Sequence, residues 1–155
     1  MKIGIHARND YWGGLLEEAD FRVIREARIE AVKLFEYQKT HIFQRLKNEN
    51  PDIFLLVRLY GDPKTPAEFV NEHAPRIAEL LPYCQDFQVL NEPNYPGETG
   101  FGPTEDDARR YNVWFQETHA RLKAIFPQAR FGFPGLSPAL EPTPVYTDVQ
   151  WIANC

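Results

Sequence analysis

The stretch DFQVLNEPNYPGETG, residues 86–100, sets an Asn-Glu-Pro triplet directly behind a short apolar run. Residues 87–90 read as a buried strand, and Asn91 and Glu92 follow just where Pro93, which has no N–H to give a ladder, stops it. A carboxylate at a strand mouth needs either a partner or a task. At average residue usage the triplet arises by chance in about one chain of this length in fifty. Its place at the end of a strand lowers that further.

Outward from this strand the same pattern repeats. Short apolar runs at 2–6, 31–37, 53–60 and 130–133 bring the predicted strands to five. Helical patterns fill the gaps, at 16–28, 40–48, 66–81 and 104–126. In the first of them Phe21, Ile24 and Ala27 or Arg28 fall three or four apart. Thr104 followed by Glu105, Asp106 and Asp107 is an N-cap residue with acids at the positive end of the helix dipole, and Pro66 suits a first helical turn.

Strictly alternating strands and helices imply parallel strands joined by helical crossovers, an α/β fold. Two architectures compete. One is an open doubly wound sheet. The other is part of a (β/α)8 TIM barrel, for which about 250 residues are typical, so five βα units make an incomplete barrel. Residues 147–155, TDVQWIANC, read as the opening of a further crossover helix without a stop signal. The expectation is that residues 1–155 form the N-terminal part of a single barrel domain whose strands six to eight are absent.

Bulk properties narrow the function. The chain has 155 residues, 14% aromatics and a formal charge of -5, enough for one sizeable core and without the basic footprint that nucleic acid or an anionic membrane would require. No long apolar span and no signal-peptide apolar region occur, so a cytoplasmic location is expected. Cys84 and Cys155 are far apart and lack a Cys-x-x-Cys or His pairing, so buried thiols are expected, with no disulfide scaffold, metal or cofactor. Pro and Gly crowd the segments 91–104 and 132–144, both of which follow strand C-terminal ends, where ligand sites gather in parallel α/β folds.

Glu92 is the first catalytic candidate, because acids at a strand mouth among apolar and aromatic neighbours serve as general acids near neutral pH. The competing reading is an acid paired with a nearby Arg. Asn91 offers a donor and an acceptor for a substrate hydroxyl. His6 ends the first strand and Glu36 the second. His6 can donate to a ligand or simply cap a loop, and Glu36 can face the same cleft or orient and pair other groups. Arg58, inside LLVRLY, should be buried and paired.

Tyr11, Trp12, Tyr60, Tyr95 and Phe101 fall on loops or strand mouths, where aromatic faces can stack on the apolar faces of sugar rings. Trp12, ahead of Gly13 and Gly14, is the foremost of them. Tyr111, Trp114, Phe115, Leu122 and Ile125 recur at helical spacing and read as helix packing, as does Trp151. GETGFG, residues 97–102, lacks the spacing of a dinucleotide loop and the Lys of a P-loop. His41, His73 and His119 fall singly on helices and read as solvated-face residues.

Five βα units with LNEPN at the end of the fourth strand resemble the N-terminal portion of clan A retaining glycoside hydrolases, a TIM-barrel superfamily. The resemblance covers the chain by layout and is motif-specific at Asn91, Glu92 and Pro93. It implies that Glu92 is the acid/base, that Asn91 touches the sugar's 2-hydroxyl, and that the substrate is a β-linked glycoside or polysaccharide. The clan's nucleophile is a second Glu at the seventh strand, which this chain does not reach, so the chain alone is expected to be inactive and to need the remainder of the barrel or another chain. Two rivals stand beside this reading. One is a non-catalytic carbohydrate-binding or half-barrel assembly module, and the other is an open α/β domain recognisable by a switch point in its strand order.

Overall fold

The computed structural model describes residues 2–7, 14–62, 64–137 and 148–153. In chain order the elements are β1 (Gly4–His6), α1 (Glu18–Glu26), β2 (Ala31–Phe35), α2 (Thr40–Glu49), β3 (Phe54–Leu59) and α3 (Pro66–Leu80). They continue with β4 (Asp86–Val89), α4 (Pro96–Thr99), α5 (Glu105–Ile125), β5 (Arg130–Gly132) and α6 (Asp148–Ala153). All four strand pairings are parallel, and the sheet order is β1-β2-β3-β4-β5.

That order differs from a doubly wound one. A doubly wound sheet reverses direction at a switch point, and this sheet has none. Each crossover instead steps to the next position, and right-handed crossovers stepping one way lay every helix on the same face. Among the described residues β1 and β5 each pair with one neighbour, so the five-stranded parallel sheet is open at both edges.

Side-chain burial agrees. Because successive side chains alternate between faces, the register puts Ile5, Val32, Leu34, Leu55, Val57, Leu59, Phe87, Val89 and Phe131 on one face. All but the half-buried Ile5 are buried there. The opposite face holds His6, Lys33, Phe54, Leu56, Asp86 and Arg130, each exposed or half-exposed, with Phe35, Arg58 and Gln88 buried toward the C-terminal mouth. One face packs under helices and the other is uncovered.

The helices reach the sheet through apolar stripes: Phe21 and Ile24 from α1, Ile42, Phe43 and Leu46 from α2, Phe69, Val70, Ile77 and Leu80 from α3. Each such side chain contributes about 1.5–3 kcal/mol on burial. Capping boxes start α3 and α5. Thr65 Oγ1 accepts the Glu68 N–H while Glu68 accepts the Thr65 N–H, and Thr104 and Asp107 repeat the exchange. A cap of this kind is worth about 1 kcal/mol.

Several expectations are corrected. The second strand stops at Phe35, since Glu36 and Tyr37 turn away toward Gln38, whose N–H bonds the Phe35 carbonyl. Part of the segment read as loop is the one-turn helix α4, which begins on Pro96 and ends at Gly100 in the left-handed region (φ 71°). Ile125 is exposed because α5 ends there and Phe126 takes the buried position. Phe101 is buried edge-on against Tyr111, so packing rather than ligand contact occupies it. Trp151 is fully buried and donates to the Gly102 carbonyl at 3.0 Å.

Candidate functional site at the strand mouths

The β4 ladder ends at Val89, and the next three residues make an unusual turn. Leu90 has φ 64° and Glu92 φ 38°, both left-handed, with Asn91 between them. A left-handed conformation costs a non-glycine residue about 1–2 kcal/mol, so neighbouring contacts must hold the turn. They do. The Leu90 N–H bonds Leu59 O at 3.0 Å, the Glu92 N–H bonds Gly135 O at 3.1 Å, and the Tyr95 N–H bonds Glu92 O at 2.8 Å. Asn94 exchanges two hydrogen bonds with the backbone of Ser137, at 2.7 and 2.8 Å, which ties this turn to the segment after β5.

Glu92 itself is half-buried. Its negative charge favours the protonated forms of Lys33 and Arg58, two residues on the uncovered face of the sheet. Burial, then the nearby Arg58 charge, pull Lys33 below the usual lysine range. Arg58 is likewise lowered by burial and partly restored by Glu98. Among the described residues no hydrogen bond or ion pair engages the Glu92 carboxylate.

The neighbours of Glu92 are held by an acid that sequence reasoning passed over. Glu98, on α4, pairs with Arg58 Nη2 at 3.1 Å through Oε2 and accepts from Asn91 Nδ2 at 3.3 Å through Oε1. Gln88 Nε2 donates to Leu90 O at 2.7 Å and approaches Asn91 Oδ1 at 3.5 Å. Arg58 is buried and paired, as its place within a strand requires, and its guanidinium lies 5.2 Å from the Phe35 ring and 5.0 Å from the Tyr60 ring. A buried Arg demands an acid, but no local signal points to Glu98, which lies 40 residues from Arg58 in sequence.

Glu36 is fully engaged. Oε1 accepts the Tyr60 N–H at 2.7 Å and Oε2 lies 2.7 Å from His73 Nδ1. His73 is only 3% exposed, which corrects its reading as a solvated residue. It falls on the stripe of Phe69, Val70, Ile77 and Leu80, and that spacing was the signal. His41 is exposed, while His119 is half-buried against Phe131.

At the β1 end, His6 is exposed, donates from Nδ1 to the Ala7 carbonyl at 2.8 Å and sets its ring against Phe35 at 5.1 Å. Tyr60 and Tyr95 are 51% and 47% exposed, the exposure a stacking surface needs. Trp12 and Tyr11 lie outside the described residues. The structure thus brings His6, Glu36, Tyr60, Asn91, Glu92 and Tyr95 to the C-terminal ends of the strands or the turns beyond them. The mouth is open because the sheet is uncovered; a cleft of about 540 Å³ lies at the opposite strand ends, beside Cys84, Asp86 and Arg130.

Comparison with protein-family models, curated proteins and solved structures finds no match. Fold and site together define an α/β protein with a parallel sheet wound in one direction and a carboxylate-amide pair at its fourth strand mouth. Among the described residues no three His, Cys, Asp or Glu side chains converge on a common point, and no helix is long and apolar enough to cross a membrane.

Proposed function

We propose that this chain supplies the first five βα units of a (β/α)8 barrel and the acid/base half of a retaining hydrolase acting on a β-linked glycoside or polysaccharide. The observation that carries this reading is the position of Glu92. It stands beside Asn91 at the C-terminal mouth of the fourth of five consecutively ordered parallel strands, near enough for its charge to act on Lys33 and Arg58 of the uncovered face. The uncovered face, with Phe54 and Leu56 beside Lys33 and Arg58, is the surface that further strands would cover. Those strands come from more of the same polypeptide or from another chain.

In this mechanism Glu92 gives its proton to the glycosidic oxygen as the bond to the anomeric carbon breaks and a second carboxylate bonds to that carbon. Glu92 then takes a proton from the water that displaces the second carboxylate. Asn91 donates to the 2-hydroxyl as positive charge develops at the anomeric carbon, and Tyr60 and Tyr95 stack on the sugar, with His6 as a further donor. Retention requires the two carboxyl groups about 5–5.5 Å apart. Glu36 and Glu98 are both committed to internal partners, so the nucleophile comes from the completing strands.

Two assays test this. The chain alone should release no product from aryl β-glycosides, and Glu92-dependent turnover by it would overturn the requirement for a second part. With the completing strands supplied, Glu92→Ala should abolish turnover of unactivated substrates, whose leaving oxygen needs a proton, and azide should accelerate turnover of aryl β-glycosides with a good leaving group, giving a β-glycosyl azide. Turnover unaffected by Glu92→Ala would contradict the acid/base role, whereas sugar binding with no turnover at all would favour a non-catalytic carbohydrate-binding module.

A further inference from the structure

We infer that His73 is a positioning residue for the β3 mouth: acting through Glu36, it fixes the backbone of Tyr60 and thereby the aromatic surface offered to a sugar. The sugar part of this inference rests on the function proposed above; the positioning part does not. Three elements meet at one carboxylate. His73 from α3 contacts one oxygen, and the first backbone N–H beyond β3, that of Tyr60, takes the other, both at 2.7 Å. Glu36 follows β2 directly, so it bridges two strand ends to the helix behind them.

The helix grips the backbone here as well. Arg76, three residues on from His73, donates from Nε to the Glu36 carbonyl at 2.8 Å and from Nη2 to the Gln38 carbonyl. Side chain and main chain of Glu36 are therefore both set from α3. Tyr60, in turn, keeps half its surface exposed while its ring lies 5.0 Å from the buried Arg58 guanidinium. A shift of the Tyr60 backbone moves the stacking face and the group that backs it together.

Packing alone does not account for a histidine at this position. The ring sits 4.2 Å from that of Phe69, on a stripe otherwise filled by apolar side chains. Its Nε2 is buried, has no hydrogen-bond partner among the described residues and faces Gly61, where an added Cβ would stand 3.4 Å away. A leucine or phenylalanine would fill the stripe without burying a polar atom that lacks a bond. What the imidazole supplies and they cannot is the hydrogen bond to Glu36.

The geometry gives a discriminating pair of variants. His73→Asn puts an amide nitrogen close to the place of Nδ1, whereas His73→Gln puts it near the place of Nε2. The experiment follows the Tyr60 amide resonance of the full chain by NMR, and its titration with cellotetraose, xylotetraose and mannotetraose, beside thermal unfolding. His73→Asn should keep the downfield, carboxylate-bonded Tyr60 amide and the wild-type affinity. His73→Gln and His73→Leu should lose the downfield shift and weaken oligosaccharide binding about tenfold, the loss of one placed contact.

If Asn and Gln variants behave alike, or if His73→Leu leaves the Tyr60 amide unmoved, His73 is a packing residue and the inference fails. Should His73→Leu not fold, the Asn and Gln pair still decides. If the wild-type protein binds none of the three oligosaccharides, the sugar reading fails, while the Tyr60 amide still tests the positioning role.

Discussion

The Arg58 guanidinium lies 3.1 Å from the Glu98 carboxylate, and the second oxygen of that same carboxylate accepts from Asn91 at 3.3 Å. One acid on a one-turn helix thus compensates a buried charge and orients the amide next to Glu92. The first part is a matter of stability and the second of function, and they separate experimentally.

Glu98→Gln keeps the size of the side chain and removes the charge that offsets Arg58. Removing one partner of a buried ion pair is strongly destabilising, and with Glu98 a quarter exposed the expected loss is about 2–3 kcal/mol. Arg58→Met, which leaves no buried charge behind, should cost less. Urea unfolding of both variants checks the order; equal losses would mean that Glu98 does not compensate Arg58.

The turn at Glu92 predicts an inverted preference between small residues. Glu92→Ala and Glu92→Gly both remove the carboxylate, but only glycine adopts φ 38° without a steric cost. Glu92→Gly should be the more stable of the two by about 1 kcal/mol in chemical denaturation, against the usual ranking of the two residues. Greater stability of the alanine variant would show that the left-handed turn is not held in solution.

Cys84 carries a pH prediction. Burial pushes its thiol from 9.0 up to about 11, and its Sγ donates to the Leu55 carbonyl at 3.0 Å. The folded protein keeps the proton that the unfolded chain loses above pH 9, so the contribution is fully present below pH 9 and is lost as pH rises toward 11. The shift corresponds to about 2–3 kcal/mol. The stability difference between wild type and Cys84→Ala should shrink by that amount between pH 8 and pH 11, and a constant difference would contradict the burial of the thiol.

How much of this was legible in the sequence follows from which forces act locally. Strands and helices could be read because the apolar spacing around Phe21, Ile24, Phe87 and Val89 and the cap at Thr104 are properties of neighbouring residues. The consecutive strand order was not readable, since it depends on pairing across the whole chain. Glu92 and Asn91 were visible as a triplet at a strand mouth. Glu98 was not, because its task is set by Arg58, 40 residues away in sequence. The burial of His73 could be read from its place on the stripe of Phe69, Val70, Ile77 and Leu80, whereas its bond to Glu36 could not, because that partner lies on another element.

The most direct test of the central claim is an NMR titration of the chain with β-linked tetrasaccharides of glucose, xylose and mannose. At least one of them should perturb the amides of Tyr60, Asn91, Glu92 and Tyr95 together and leave Cys84 and Arg130 at the opposite strand ends unmoved. Perturbations centred elsewhere, or none with any of the three, would contradict a sugar site at the fourth strand mouth.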